Sequence, residues 1–481
     1  MLATDTALGE ARPALHRRIA SILGGSVGNL IEWFDLHIYT AFSLYFAPQF
    51  FPGDSPNVQL LNAAGIFALG FLLRPLGSWI FGIYADRHGR RAALSLCVTL
   101  MCAGSLMIAI CPTYAQAGIL APALLLLARM LQGLSLGGEY GASSVYLTEI
   151  ADPRRRGFFS SFNYVTLISG QLLATFLLVV MRILLSTDQI AGWGWRIPFA
   201  IGAACAVIGY ALRRNIDETD QFKALKRRGT AERPTLRLLA DPRALVLVAG
   251  MTVGGTVAFF TYTVYMHRFL SNSAGLTRDQ TTLVSCATLF VFALLQPLLG
   301  ALSDRIGRKP LLLALGLLGT LGTVPLMTAM TRVHDAWSAL ILLMIALVIV
   351  SGYTSVNSVV KAELFPTSVR VLGVGLPYTL ATSLFGGSAE YVGLWFKHLG
   401  HESLFFYYVS ACIACTFVTT LFLKEGGTAS LDPERVAGSL TGGDDARDRF
   451  PIHDDHSQTD RGLIPWQTLN SSCSGTGRSA G

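Results

Sequence analysis

Twelve apolar segments, each long enough to cross a lipid bilayer as a helix, dominate this chain of 481 residues. A bilayer core takes about 20 residues of α-helix. The sequence is 52% hydrophobic and 14% charged, whereas a soluble domain carries roughly 25% charged residues. We therefore predict an all-α membrane protein with twelve transmembrane helices. The segments cover approximately residues 19–47, 59–83, 92–112, 118–147, 158–185, 196–214, 244–270, 279–302, 310–331, 337–362, 369–397 and 402–423.

Arginine and lysine concentrate in alternate loops between these segments. The rich loops lie near residues 84–91, 151–156, 303–309 and 215–243, and the intervening loops have few cations. Loops rich in arginine and lysine stay on the cytoplasmic side of a membrane. This predicts a multi-pass protein with both termini in the cytoplasm. We expect the many charges of the central loop, 215–243, to form a solvated surface.

The second half of the chain repeats two features of the first half. The stretch GIYADRHGRR, Gly82–Arg91, follows the second apolar segment, and GALSDRIGRK, Gly300–Lys309, follows the eighth. A glutamate, Glu149 or Glu363, follows the fourth and the tenth segment. The aspartates of the two stretches are 218 positions apart and the glutamates 214, which indicates a duplicated six-helix unit.

This duplication sets the predicted domain boundaries. They are an N-terminal cytoplasmic segment 1–18, a six-helix half 19–214, a central cytoplasmic loop 215–243, a second six-helix half 244–424 and a disordered tail 425–481.

The repeated loop residues suggest a gate on the cytoplasmic side. Glycine permits tight turns, and arginine offers paired donors to a carboxylate. Ion pairs between these loops and the glutamates would hold that side closed. The alternative is that the arginines only fix the membrane topology. The candidate gate residues are Gly82, Asp86, Arg87, Gly89, Arg90, Glu149, Asp304, Arg305, Arg308, Glu363 and Arg370.

Charged residues also lie deep inside the apolar segments. Glu32 and Asp35 share one face of the first segment, and Arg129 lies at a similar depth in the fourth. A charge at the bilayer centre costs about 2.5–3.5 kcal/mol on insertion scales. We therefore expect Arg129 to pair with Glu32 or Asp35. This pair either couples transport to protons or fixes the helix packing.

Other polar residues within the segments are candidates for lining a central cavity. Arg74 meets a substrate carboxylate, reaches toward the cytoplasm, or holds Glu139. The candidate substrate-binding residues are Arg129, Arg74, Tyr39, Gln171, Tyr262 and Asn357.

The motifs resemble a known transporter family. The pattern G-x-x-x-D-R-x-G-R-R at 82–91, echoed at 300–309, is similar to the signature of the major facilitator superfamily, as is R-x-x-Q-G at 129–133. The stretches GNLIEWFD (28–35), LLARMLQGLSLGGEYGAS (126–143) and WGWRIPF (193–199) resemble its metabolite:proton symporter branch. That branch carries dicarboxylates, citrate, shikimate, and betaine or proline. Over about residues 18–424, the resemblance is strongest to α-ketoglutarate permeases.

The resemblance implies a proton-coupled symporter that imports α-ketoglutarate or a related dicarboxylate across the bacterial inner membrane by alternating access. It implies a monomer in the bilayer. It also implies that Arg129, together with Asp35 or Glu32, couples transport to protons. If an anionic substrate takes over Arg129, the acid left behind should accept a proton, and the neutralised site can then cross with its cargo.

Two alternatives stay open from the sequence. The same fold could carry citrate, shikimate or proline/betaine, or the protein could be a transporter-like sensor that binds a ligand without moving it. We see no phosphate-binding loop, no metal-ligand spacing and no nucleophile–base arrangement, so we expect neither a cofactor nor an enzyme. The net charge of +7 is spread over short loops and does not indicate nucleic acid.

Overall fold

A computed structural model describes residues 15–53, 55–214, 216–227, 238–239 and 241–423. Within these ranges the chain is almost entirely helical. The predicted tail 425–481 and most of the segment 1–18 lie outside the described residues. The helices are α1 Leu15–Phe50, α2 Pro56–Leu72, α3 Arg74–His88, α4 Arg90–Ala109, α5 Tyr114–Ala117, α6 Leu120–Glu149, α7 Arg156–Leu184, α8 Thr187–Gln189, α9 Arg196–Arg214, α10 Asp220–Arg227, α11 Pro242–Phe260, α12 Met266–Asn272, α13 Arg278–Ile306, α14 Lys309–Met330, α15 Ala336–Thr354, α16 Asn357–Glu363, α17 Arg370–Ala381, α18 Ala389–His398 and α19 Glu402–Leu421. Short π-helical turns follow α8, α11 and α17, at Ile190–Gly194, Thr261–Tyr265 and Thr382–Gly386.

Ten runs of helix in the described ranges are long and apolar enough to cross a membrane. They account for ten of the twelve predicted segments. The other two predicted segments, 19–47 and 369–397, are helical as well, in α1 and in α17 with α18. The first of these carries Glu32 and Asp35, and the second is interrupted by a π-turn. The predicted all-α membrane fold is confirmed.

The second span changes direction where α2 ends and α3 begins. Pro75 has no backbone N–H to continue the helical hydrogen bonds of α2, and Leu73 closes α2 by donating to the carbonyl of Gly70 at 3.2 Å. A Cβ on Gly137 of α6 would overlap the backbone carbonyl of Arg74. Glycine at that position lets α6 and α3 touch, and this contact places Arg74 in the interior.

Helices from the two predicted halves pack on each other directly. The main contacts between them are those of α7 with α13 and of α3 with α17. Two glycines permit this approach. A Cβ on Gly82 would lie 2.9 Å from Cα of Leu372, and one on Gly300 would lie 2.6 Å from the carbonyl oxygen of Gly157. The exact domain boundaries stay a prediction.

The two repeated loops make the same tight turn. Gly89 ends α3 with a φ of 110°, and Gly307 ends α13 with a φ of 95°. Residues with a side chain rarely adopt such values, so glycine is required at both places. Each turn brings the arginine that follows it back toward the helix just completed. We call this side of the bundle, with residues 84–91, 149–157, 304–309 and 363–372, the arginine-rich end.

Candidate transport site and closing network

Asp35 of α1 lies at the centre of a buried polar cluster. Its side chain is fully buried. Oδ2 accepts hydrogen bonds from the hydroxyl of Ser105 and from Nε2 of Gln132, the latter at 3.2 Å. Oδ1 is buried without a hydrogen-bond partner among the described residues, and it faces Gly202. The carboxyl group therefore has one well-held oxygen and one oxygen free to carry a proton.

Arg129 of α6 is connected to this acid through Gln132. Nη1 of Arg129 donates to Oε1 of Gln132 at 2.6 Å, while the amide nitrogen of the same glutamine reaches Asp35. The guanidinium carbon lies 4.2 Å from the centre of the Tyr39 ring and 5.1 Å from that of Phe67. These ring faces attract a cation, but they do not neutralise it.

The predicted direct ion pair between Arg129 and an acid of α1 is wrong in this conformation. Gln132 follows Arg129 by one turn of α6 and occupies the space between the two charges. Arg129, Gln132 and Glu32 instead line one small cavity of about 10 Å³, roughly enough for one water molecule.

Glu32 occupies a different environment from Asp35. Its Oε1 accepts a hydrogen bond of 2.8 Å from the hydroxyl of Ser135, and its Oε2 is buried without a partner among the described residues. On the side facing the arginine-rich end lie Glu139 and Arg213, which form a fully buried ion pair. Glu139 is thus held by Arg213 of α9, and the suggested pair with Arg74 does not form. Arg213 is fully buried, although it lies at the end of α9 next to the central loop.

Arg74, at the start of α3, is buried with few polar partners. Its Nε and Nη1 have no hydrogen-bond partner within the described part of the chain. The guanidinium lies 4.6 Å from the centre of the Phe71 ring and beside the hydroxyl of Tyr378 on α17. It does not reach toward solvent, since only 1% of its surface is exposed.

The sequence analysis missed a buried lysine of the second half, which lies beside the same tyrosine, Tyr378, as Arg74. Lys361 of α16 is completely buried. Its Nζ donates to the hydroxyl of Tyr353 at 3.0 Å and to Oδ1 of Asn357 at 3.1 Å, and it lies 4.2 Å from the centre of the Tyr378 ring. The signal was present in the sequence, because residues 353, 357 and 361 are four apart and share one helical face.

Three of the remaining predicted lining residues lie in three different places. Asn357 belongs to the lysine cluster. Tyr39 packs under Arg129, and its hydroxyl donates to the Ala63 carbonyl at 2.9 Å. Gln171 of α7 donates to the Thr263 carbonyl at 2.9 Å and thereby links the two halves.

Tyr262 is the exception among the predicted lining residues. Its hydroxyl donates to Thr323, and it lines a small cavity enclosed by α14, α15 and α19. It therefore faces the interior of the second half, and its placement in the central cavity was wrong. Tyr262 lies in the π-helical turn Thr261–Tyr265, which interrupts the α-helical spacing that the sequence pattern assumed.

The arginine-rich end is closed by a buried ion network around Glu149. Arg90 donates to both oxygens of Glu149, at 3.1 and 3.2 Å, and to the carbonyl of Thr367 at 2.7 Å. Arg370, from the second half, donates to the same carboxylate at 2.7 Å. The sequence predicted this pairing of loop arginines with Glu149. Because Arg370 and Thr367 belong to the second half, the network fastens the two halves together.

The aspartates of the two repeated loops each cap a helix of the opposite half. The carboxylate of Asp86 accepts the N–H groups of Val371 and Leu372 at 3.2 and 3.0 Å. The carboxylate of Asp304 accepts those of Gly157 and Phe158 at 2.8 and 2.9 Å. Both acceptors satisfy unpaired donors at the start of a helix and complement its dipole.

The other predicted gate residues contribute unequally. Arg308 donates to Asp304 at 3.0 Å, and Glu363 is half-buried near Arg308. Arg87 and Arg305 point to the exposed surface and lie outside the network. The sequence could not separate these exposed arginines from the buried ones, because each motif has one arginine directly after its aspartate and another directly after its glycine.

Part of the central loop joins the network, although we expected a solvated surface. Glu218 accepts the N–H groups of Arg90 and Arg91 at 3.1 Å. Thr219 donates to Glu149 at 2.6 Å, and Gln221 accepts from Arg370 at 2.6 Å. The segment 218–222 is therefore bound to the closed arginine-rich end. Residues 228–237 lie outside the described part of the chain.

Comparison with known proteins identifies the family to which this architecture belongs. The family model described as "Sugar (and other) transporter" matches residues 22–244, and that of the Major Facilitator Superfamily matches residues 263–470. The chain is 49% identical over 414 residues to the alpha-ketoglutarate permease of Escherichia coli (strain K12), which covers 86% of this chain and 95% of that protein. The chain belongs to the major facilitator superfamily.

More distant relatives within the superfamily carry other solutes. The citrate-proton symporter of Klebsiella pneumoniae is 32% identical and covers 87% of this chain and 94% of that protein. The proline/betaine transporter of Salmonella typhimurium is 30% identical and covers 87% and 86%. The predicted family is confirmed, and the chain is a multi-pass membrane protein.

A solved structure supports the fold at lower sequence similarity. The proton:xylose symporter XylE, bound to 6-bromo-6-deoxy-D-glucose, matches with a TM-score of 0.68 at 18% identity and covers 88% of this chain and 98% of that chain. At this identity the match shows the superfamily fold alone.

Proposed function

We propose that the protein is a proton-coupled symporter that imports α-ketoglutarate, or a closely related dicarboxylate, across the bacterial inner membrane. The 49% identity to the alpha-ketoglutarate permease over most of both chains favours this substrate. The proposal includes a monomer with both termini in the cytoplasm, as the distribution of loop arginines predicts.

One observation carries the proposal: a buried acid and a buried arginine share one glutamine as their common partner. Among the described residues, Oδ1 of Asp35 has no hydrogen-bond partner, and the guanidinium of Arg129 donates to Gln132 and lies against ring faces. Each charge is therefore only partly compensated in a low-dielectric interior, where uncompensated charge is costly. The pair is poised to exchange partners when a new anion and a proton arrive.

The exchange proceeds in a defined order of contacts. A substrate carboxylate enters beside Phe71, which borders both the Arg129 cavity and the Arg74 guanidinium. It takes the donors of Arg129, so the amide of Gln132 is released from that arginine. Asp35 then loses its link to the positive charge, and protonation of its carboxyl group becomes favourable. Substrate binding and proton binding thereby promote each other.

Asp35 carries the proton in this proposal, and Glu32 supports the site. Asp35 is the acid that Gln132 connects to Arg129, whereas Glu32 is held by Ser135 and faces the Glu139–Arg213 pair. Asp35 is linked to Arg129 by hydrogen bonds through Gln132, whereas Glu32 only borders the same cavity as that arginine.

The closing network supplies the gate for alternating access. Glu149, Arg90 and Arg370 fasten the two halves at the arginine-rich end. We propose that these contacts break when the halves rock apart toward the cytoplasm. Arg308 and Glu363 form the weaker counterpart of this gate.

The test is uptake of labelled α-ketoglutarate by inner-membrane vesicles with an imposed proton gradient. We expect accumulation above the external concentration, its loss on addition of an uncoupler, and its loss in Arg129→Gln. Arg87→Gln, an exposed arginine outside the site, is the matched control and should accumulate normally.

Competition identifies the substrate in the same assay. An excess of unlabelled α-ketoglutarate should inhibit uptake more strongly than citrate, shikimate or betaine. Stronger inhibition by one of these would contradict the substrate assignment. Binding without accumulation would contradict transport and favour a sensor.

A further inference from the structure

Lys361 is a buried cation that the superfamily resemblance and the proposed proton exchange leave without a role. Within the described residues its hydrogen-bond partners are all neutral: Tyr353, Asn357 and, at 3.5 Å, Tyr140. A buried ammonium group without a counter-ion is destabilising by several kcal/mol. The ring faces around it recover part of that cost, and an anion would recover more.

Arg74 is a second buried cation, in the first half, and its acidic neighbour Glu32 is held by Ser135. Two of its guanidinium nitrogens, Nε and Nη1, have no hydrogen-bond partner among the described residues, and the guanidinium lies over the Phe71 ring. Charge-assisted hydrogen bonds from arginine to a carboxylate are strong, and these two nitrogens leave donors available for one.

Tyr378 of α17 separates the two cations. Its hydroxyl lies beside Arg74, and the centre of its ring lies 4.2 Å from Nζ of Lys361. The ring also stacks on Tyr140, with ring centres 3.5 Å apart and an interplanar angle of 12°. One phenol ring therefore spans the distance between an arginine of α3 and a lysine of α16.

We propose that Arg74 and Lys361 form a two-point clamp that selects a substrate with two carboxylates. One carboxylate lies beside Phe71, where it accepts from Arg74 and, as in the proposed exchange, from Arg129. The other replaces the neutral partners of Lys361. A monoanion leaves one of the two cations uncompensated, so the clamp disfavours it. This inference rests on the proposed function and adds the residue from the second half that recognises the substrate.

In this clamp the bound substrate contacts both halves of the protein. Arg74 belongs to the first half and Lys361 to the second. A dianion bound to both joins the halves near their centre, independently of the Glu149 network at the arginine-rich end. A bound substrate can then hold the halves together while that network opens.

The first test requires no variant. In proteoliposomes containing the wild-type protein, glutarate should inhibit α-ketoglutarate uptake at least tenfold more strongly than its monomethyl ester, which has the same carbon chain and one charge fewer. Equal inhibition by the two compounds would overturn the clamp, and it would leave α-ketoglutarate transport itself intact.

The second test assigns the preference to Lys361. In Lys361→Gln the ratio of inhibition by glutarate to that by its monomethyl ester should fall at least fivefold, and Lys361→Arg should restore part of it. Lys309→Gln removes a lysine that lies at the surface of the bundle and donates to the carbonyls of Leu421 and Leu423, so it should keep the wild-type ratio.

The outcomes separate the two proposals. If the wild-type protein does not accumulate α-ketoglutarate with protons, the proposed function fails. If it does, and Lys361→Gln keeps the full dianion preference, only the clamp fails. If Lys361→Gln does not fold, Lys361→Arg tests the clamp instead. Retention of the dianion preference in Lys361→Arg supports a cation at this position. Complete loss of that preference, with uptake retained, contradicts the clamp.

Discussion

The two copies of the loop motif, Gly82–Arg91 and Gly300–Lys309, agree in one function and differ in another. Asp86 and Asp304 each accept two backbone N–H groups at the start of a helix in the opposite half. This shared role explains the aspartate and the glycine turn of the motif, because both are needed to bring the loop against that helix.

The ion pairs of the two copies are not equivalent. Arg90 is fully buried and bonds both oxygens of Glu149, which also binds Arg370. Arg308 bonds its own Asp304, and Glu363 lies beside Arg308 and Arg156 with a partly exposed side chain. The two copies therefore share the helix capping, and they differ in the burial of the glutamate at the centre of each ion network.

The largest expected difference comes from the two glutamates. Glu149→Gln leaves Arg90 and Arg370 buried without a carboxylate, which costs about 3–5 kcal/mol when a buried pair is broken. Glu363→Gln removes a partly exposed charge that lies beside Arg308 and Arg156, and it should cost less than Glu149→Gln. Thermal unfolding of both purified variants, with hydrogen exchange over residues 363–372, measures the difference. Equal destabilisation by the two substitutions would contradict the asymmetry.

The two aspartates should behave alike. Asp86→Asn and Asp304→Asn each keep one carbonyl oxygen but lose a charge-assisted bond to a helix start, at a cost of about 1–2 kcal/mol each. Hydrogen exchange should rise at 371–372 in the first variant and at 157–158 in the second. Asp220→Asn, an exposed residue paired with Lys223, is the control. A large effect confined to one aspartate would mean that the copies differ in capping too.

A smaller effect is expected from the loop segment that binds only the first copy. Thr219→Val preserves shape and removes the hydroxyl that donates to Glu149 at 2.6 Å. The loss of one such hydrogen bond to a charged group costs about 1.5 kcal/mol. Thr331→Val, which removes a bond to the carbonyl three residues earlier, should have little effect on exchange near Glu149. If Thr219→Val changes neither the thermal stability nor the hydrogen exchange near Glu149, the central loop does not contribute to the gate.

The exposed arginines of both motifs should matter least. Arg87→Gln and Arg305→Gln alter surface positions outside the network, where substitutions usually change stability by less than about 0.5 kcal/mol. Thermal midpoints close to wild type in both variants would confirm that Arg87 and Arg305 do not contribute to closure. A large loss in either variant would show that the buried network extends further than its contacts indicate.

Sequence patterns predicted the features that depend on local order along the chain. Apolar segments of membrane-spanning length predicted the helices, and the spacing of the repeated motifs predicted the pairing of Arg90 with Glu149. The family resemblance was carried by contiguous motifs, and the comparisons confirmed it.

Features that depend on which helix faces meet could not be predicted in the same way. The direct pair of Arg129 with Asp35 failed because Gln132, one turn away, fills the gap. Lys361 was missed because its partners Tyr140 and Tyr378 come from helices far away in sequence. Local spacing could reveal its Tyr353 and Asn357 neighbours, but not the aromatic cage that closes around it.

The exchange of partners at Asp35 is tested most directly by measuring proton flux and α-ketoglutarate flux together in proteoliposomes, with a pH-sensitive dye inside and labelled substrate outside. In the wild-type protein each substrate should enter with protons. In Asp35→Asn, exchange of internal for external α-ketoglutarate should continue, while proton flux and net accumulation are lost. Proton-coupled accumulation at the wild-type rate in Asp35→Asn would contradict the role assigned to this acid.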